Sequence, residues 1–333
     1  MEYTEWKAKM QELLNKKGYD VKDWHRAIGI KQSLLSSLIE NDHYIVEPEM
    51  AEGIYNMTVT SKLDNSVRFD VPQIIVFWTH KGGTGKTTLS TNIAHELAKR
   101  QFNVLAIDTD SQCDMTSTLF PDYINYPGRD FYDAFIMRDD FKEMDYIFET
   151  DYDNLDIVPG SLMQETITSS LMSLSNEQLA RYFKNCLTTI LAENYYDFII
   201  LDLDKNAGLL NRSLLYQADF VISPLECAPY SVKSAPNIYN QIMQAQQFNE
   251  KLKWLGVVYN KVNVRKSVVG SMKEDLDSVL PDSAFDTYIS NDASIEKSQA
   301  AFMPLSVYDR SSKAYKQLVA LVDEIIDRIV KMR

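Results

Sequence analysis

The segment His80-Lys81-Gly82-Gly83-Thr84-Gly85-Lys86-Thr87-Thr88 concentrates the residue types that hold a polyphosphate. Glycines at 82, 83 and 85 let backbone N–H groups wrap closely around phosphate oxygens, and a helix that starts near Lys86 aims its N-terminal dipole at them. Lys86 is placed to pair with the β- and γ-phosphates of ATP, and Thr87 to set its hydroxyl on Mg²⁺. Thr84 and Thr88 complete the loop. The apolar run Ile74 to Trp78 precedes it and the helical stretch Leu89 to Arg100 follows. Strand, glycine loop and helix in that order separate a nucleotide loop from a chance glycine turn.

Further oxygen chemistry lies at the ends of other apolar runs. Asp108 and Asp110 close the run Leu105 to Gln112, Asp202 ends Phe198 to Asp202, and Asn260 ends Leu255 to Asn260. From residue type alone, the acid pair is equally a solvated turn and Asn260 a strand-end cap.

These positions need a scaffold. After Pro72, apolar strands alternate with longer amphipathic segments, the pattern of a mostly parallel sheet flanked by helices. The expected strands are Ile74 to Thr79, Val104 to Asp108, Leu155 to Val158, Phe198 to Asp202, Phe220 to Ser223, Leu255 to Asn260 and Phe285 to Ile289. The fold class is thus α/β, a P-loop NTPase with a small all-α N-terminal domain, divided as residues 1-66 and 67-333. In the first part, a helix runs from Thr4 to Gly18. A helix pair follows from Val21 to Leu38, hinged at Gly29, and another helix covers Glu47 to Met57. The polar residues Thr58 to Asp70 read as a linker. A glycine-hinged pair is the build of a helix-turn-helix, with Lys31 and Gln32 opening the helix that would enter DNA. His25 stands where such motifs usually carry alanine, and a bundle for dimerisation or docking is the other reading.

The lysine at position 81 is not needed by an ordinary P-loop. With it, KGGTGKTT resembles the deviant Walker A motif, KGGxGKTT, of the ParA and MinD superfamily. The resemblance extends from Ile74 to Ile329: LAIDTDSQ (105–112) is similar to the family's DxDPQ segment, and YDFIILDLDKNAGLLN (196–211) to its Walker B and switch II segment. It implies that Lys81 contacts phosphate across an ATP-dependent sandwich homodimer. It also implies that Asp110 places the attacking water, Asp108 supports the magnesium site, Asp202 holds Mg²⁺ and Asn260 reads adenine. Asp204 and Lys205 replace the two prolines usual in that segment, which puts the hydrolysis rate in question.

The resemblance further implies slow, partner-stimulated hydrolysis, DNA binding without sequence preference, a centromere-binding partner protein, and a cytoplasmic, nucleoid-associated location. Arg265, Lys266, Arg310, Lys313 and Lys316 are the candidate phosphate contacts. A helix-turn-helix ahead of such a core is similar to the longer plasmid partition ATPases that also repress their own operon.

Composition sets limits on this reading. A net charge of -13 confines any nucleic-acid contact to a local basic patch. Cys113, Cys186 and Cys227 have no metal-ligand or cluster spacing, and no apolar run approaches a membrane span. Two alternatives remain open: an ATP-sensing transcription regulator with little turnover, and a MinD-like membrane-cycling ATPase. The second needs a basic amphipathic terminal helix. Here the stripe from Leu318 to Ile329 shares its helix with Asp323, Glu324 and Asp327, which favours docking onto the sheet.

Overall fold

The computed structural model describes residues 3–28, 30, 32–40, 47–60, 69–125, 129–136, 146–162, 169, 171–193, 195–204, 208–228, 232–263 and 269–333. Its contacts divide the chain into two compact units, Met1–Arg68 and Phe69–Arg333.

The first unit holds four helices, α1 (Tyr3–Lys17), α2 (Val21–Ile28), α3 (Gln32–Glu40) and α4 (Pro48–Thr60). Their core is Trp6, Met10, Trp24, Leu35, Leu38 and Ile54, each almost fully buried. Both tryptophans also find acceptors for their indole N–H groups, Trp6 on the Ala51 carbonyl at 2.7 Å and Trp24 on the Thr58 hydroxyl at 2.7 Å. Asp20 caps α2 by accepting from the Asp23 amide at 2.7 Å. His25 is fully buried, and its Nδ1 donates to the Ile30 carbonyl at 2.6 Å. A residue out of place for the motif thus ties down the turn between α2 and α3. The structure corrects the expected linker start. Thr58 is helical, because its hydroxyl donates to the Ile54 carbonyl at 2.7 Å while accepting from Trp24.

The second unit is built on a seven-stranded sheet of order β3-β4-β2-β5-β1-β6-β7. Its strands are β1 (Gln73–Phe77), β2 (Val104–Asp108), β3 (Phe148–Glu149), β4 (Leu155–Val158), β5 (Phe198–Asp202), β6 (Phe220–Glu226) and β7 (Lys253–Asn260). All pairings are parallel except β3 with β4. The central strands β1, β2 and β5 are buried at every position, as strands covered on both faces must be. In an open parallel sheet, ligands bind beyond the carboxyl ends of the strands. Here β1 lies between β5 and β6 and runs directly into the glycine loop, and α5 (Lys86–Lys99) returns across the sheet.

One expected strand did not form as such. Phe285 to Ile289 follows β7 through hydrogen bonds from Phe285 to Val257 and from Ile289 to Tyr259, each 2.9 Å, but joins the sheet only by isolated bridges. The Glu324 carboxylate accepts from the Asp286 and Thr287 amides at 2.8 Å and draws them out of the ladder. Glu324 belongs to the last helix, Lys313–Met332, whose residues Leu318, Leu321, Val322, Ile325, Ile326 and Ile329 are buried in the unit. No helix among the described residues is long and apolar enough to cross a membrane.

On α5, His95 is 4% exposed, with Nδ1 2.7 Å from the Ser306 hydroxyl. Burial first, then the charge of Lys99, holds its pKa down to about 4 from 6.5. The folded chain therefore refuses a proton that the unfolded chain accepts as pH falls below 6.5, so folding free energy is lost across that window. Denaturant unfolding of the core should show roughly 2 kcal/mol of this loss by pH 5, absent in His95→Gln. Equal pH dependence in the two proteins would contradict the assignment.

Candidate nucleotide site

The glycine loop forms one wall of a cleft of about 730 Å³ at the carboxyl ends of the strands. Gly82, Gly83, Gly85, Lys86, Thr87 and Thr88 line it, and Asp110, Asp204 and Asn260 face them. Gly85 has φ 91°, and a Cβ there would stand 2.1 Å from the Asn260 amide nitrogen. Both backbone and packing demand glycine. Thr84 is fully buried, and its carbonyl accepts from Asn260 Nδ2 at 2.8 Å, while Asn260 Oδ1 accepts from the Lys261 amide at 2.8 Å. Asn260 thereby fastens the loop to the end of β7. Its amide is engaged with backbone in this state, alongside the cleft where adenine recognition was expected.

Lys86 is 7% exposed at the start of α5. Lys81 lies outside the cleft lining, and its ammonium pairs with Glu226 at the end of β6. Thr88 is fixed on both sides: its carbonyl accepts from Asn92 and its hydroxyl from Gln299, each at 2.8 Å.

Behind the loop, register places Asp108 opposite Asp202 on adjacent strands, both fully buried. Their environments differ. Asp108 Oδ1 accepts from the Asp110 amide at 3.1 Å, and Oδ2 accepts from the Thr116 amide and hydroxyl at 2.9 and 2.7 Å. The turn after β2 is thus wound around this carboxylate, which acts here as its anchor. Gly160 closes the same knot by donating to the Thr116 hydroxyl at 2.8 Å; a Cβ there would press within 2.9 Å of the Asp108 carboxyl carbon.

Neither oxygen of Asp202 has a hydrogen-bond partner. Desolvation, then repulsion from Asp108, raises its pKa well above the ordinary carboxylate range; the nearby Thr87 and Ser90 hydroxyls oppose the shift without completing good hydrogen bonds. Desolvation likewise brings Asp108 up to about 6, against the donors that surround it. A buried carboxylate with no completed hydrogen bond, and with the Thr87 hydroxyl beside it, fits a hard divalent cation that completes its shell with waters and phosphate oxygens. No cluster of three or more His, Cys, Asp or Glu side chains that could hold a metal by themselves occurs among the described residues. Asp110 lies nearer the open cleft, with its Oδ1 accepting from the Gln112 amide at 3.0 Å. Burial raises its pKa, Asp204 adding to the shift and Lys86 opposing it.

The other expected positions divide. Arg310, Lys313 and Lys316 are exposed, just before and within the first turns of the last helix, with Arg310 Nε donating to the Ser306 carbonyl at 2.8 Å. Arg265, Lys266, Lys31 and Lys205, together with the Gln32 side chain, lie outside the described residues. Sequence reasoning missed Glu226, Thr116, Gly160 and Gln299. All four act through tertiary contacts between segments that are apart in sequence.

An AAA-domain family description (AAA_31) matches residues 72–254. The chain belongs to this family, and its core is a P-loop ATPase of the ParA/MinD type. It is 28% identical over 260 residues to the cell division protein PomZ of Myxococcus xanthus, covering 77% of this chain and 78% of that one. It is 26% identical over 254 residues to the sporulation initiation inhibitor protein Soj of Bacillus subtilis, covering 76% and 98%. Among solved structures, the septum site-determining protein MinD of Pyrococcus horikoshii, complexed with Mg-ADP, matches with a TM-score of 0.63 at 20% identity, covering 79% and 99%. At that identity the likeness speaks for the fold.

Because Asp202 is buried without donors, its ionised form weighs against the metal-free fold. A carboxyl with a raised folded pKa costs stability increasingly as pH climbs from its unfolded value through the folded one. Asp202→Asn should therefore melt several degrees above the wild type in EDTA, with a gap that widens from pH 5 to pH 8. It should also gain less from Mg²⁺ with ADP. A variant that melts lower in EDTA at pH 8 would refute this.

Proposed function

We propose that the protein is an ATP-driven dimerising switch, in which ATP with Mg²⁺ closes two copies face to face and hydrolysis releases them. The observation that carries this reading is the donor-free Asp202 carboxylate set directly behind a loop that bears Lys81, Lys86 and Thr87. Bound Mg²⁺ would neutralise phosphate charge. Lys86 holds the β- and γ-phosphates, and Asp110, at the mouth of the acid group, orients the attacking water. Lys81 leaves Glu226 to reach the partner's phosphate. The Asp108 knot fixes the turn that aims Asp110.

The relatives' names point to positioning within cells: one is called a cell division protein, and another, from Myxococcus xanthus, a chromosome partitioning protein. We assign this chain the same broad task, moving or placing a large cargo by cycles of dimer assembly on DNA, with location on the nucleoid. Arg310, Lys313 and Lys316 supply a local basic patch against an acidic whole, and Arg265 and Lys266 are its proposed extension. A centromere-binding partner would stimulate turnover, and the residue 1-66 domain would read an operator or dock that partner. A regulator that senses ATP with little turnover is the second reading, favoured by Asp204 where the family usually has proline, facing Asp110 in the cleft.

Lys86→Ala should lose nucleotide binding at least a hundredfold. Lys81→Ala should bind ATP like the wild type yet stay monomeric in sedimentation velocity, and a Lys81→Ala dimer on ATP would rule out the sandwich. Binding of a random-sequence duplex at two salt concentrations, with ADP or ATP, tests the DNA reading. It should require ATP, weaken with salt, and survive removal of residues 1–68. Duplex binding that ignores the nucleotide would count against it.

A further inference from the structure

A second cleft, of about 410 Å³, shares no lining residue with the first and lies among the helices that begin at Asn176, Leu209 and Ala235. Its floor contains Trp78, the residue that follows β1. Trp78 is 2% exposed and its indole N–H has no acceptor among the described residues. Trp6 and Trp24, equally buried, each have one. An indole N–H kept out of water without a partner weighs against the fold, a cost that an acceptor entering the cleft would remove.

The rest of the lining says what kind of acceptor. Arg212 on the helix Leu209–Leu215 is exposed at the rim, and no acid pairs with it among the described residues. Tyr216 and Phe248 form an apolar wall, their ring centroids 4.8 Å apart. Gln241, Gln244 and Gln247 border the wall with carboxamides. The lining is also held in place. The Trp78 ring meets His80 edge to face at 4.7 Å, and Asn211, which lines the cleft, donates to the Asp204 carbonyl at 3.0 Å.

We propose that this cleft is a second ligand site, for a carboxylate carried on a short aromatic or branched apolar group. One carboxylate oxygen accepts from the Trp78 indole and the other faces the Arg212 guanidinium, while the apolar group lies against Tyr216 and Phe248. A free organic acid and an acidic residue of a partner's peptide share this chemistry. The site does not depend on the ATPase reading, although its occupant would bear on both the strand that enters the glycine loop and the segment that holds Asp204.

The test follows the Trp78 indole N–H resonance of the full chain, assigned with Trp78→Phe, while three probes are titrated to 10 mM. The probes are 3-phenylpropanoate, the capped dipeptide acetyl-Phe-Glu-amide and its Gln counterpart. Saturable downfield movement with either carboxylate probe, at least tenfold tighter than with the Gln peptide and weakened at least tenfold in Arg212→Gln, supports the site. Response to the free acid alone assigns a small-molecule source, and response to the dipeptide alone a peptide source. No saturable movement with any probe, equal response to the Gln peptide, or indifference to Arg212→Gln would overturn it.

Discussion

Two carboxylates buried side by side govern this site. The register of β2 on β5 sets Asp108 against Asp202 at the strand ends, out of water, where like charges repel most strongly. The fold treats them unequally. Asp108 is surrounded by three donors and becomes the post around which the following turn is wound, whereas Asp202 receives none. Such an arrangement is tolerable only if a proton or a cation compensates Asp202, and the Thr87 hydroxyl beside it makes a cation the natural occupant. Much else is arranged to keep that geometry. Gly160 admits the Asp108 carboxyl, Asn260 ties Thr84 to β7, and Gly85 leaves room for Asn260.

The same arrangement suits a switch. In this state Lys81 sits on Glu226, a neighbour within its own chain. An ion pair this exposed contributes little to stability, so the lysine can be drawn off by a stronger anion such as a triphosphate. Asp204 and Asp110 share the cleft with Lys86, so the charge balance at the mouth changes when a phosphate leaves. On the proposed reading, the ligand's charge would then set where the Lys81 ammonium sits.

Much of this was legible in the sequence wherever local order carries the information. Strand, glycine loop and helix are contiguous, and β2, β4 and β5 end where their apolar runs end. The failures share one physical cause, a backbone group taken by a distant side chain. Glu324 captures the amides of 286 and 287 and keeps that segment out of the sheet, and Thr58 extends α4 because Trp24 needs an acceptor. Glu226 could not be foreseen as the resting partner of Lys81, because 145 residues separate them. Nor could sequence distinguish Asp108 from Asp202, both aspartates at the ends of apolar strands. Only the donors from Thr116 and Asp110 set the anchoring carboxylate apart from the other.

The most direct test of the account is a proton inventory. Mg²⁺ with ADP is titrated into metal-free protein at pH 6.5 in two buffers of different ionisation heat. If Asp202 holds a proton until the cation arrives, binding releases protons, the measured heats differ between the buffers, and Asp202→Asn shrinks the difference. Equal heats in both buffers for the wild type would mean that Asp202 is not the group the cation compensates, and the central claim would fall.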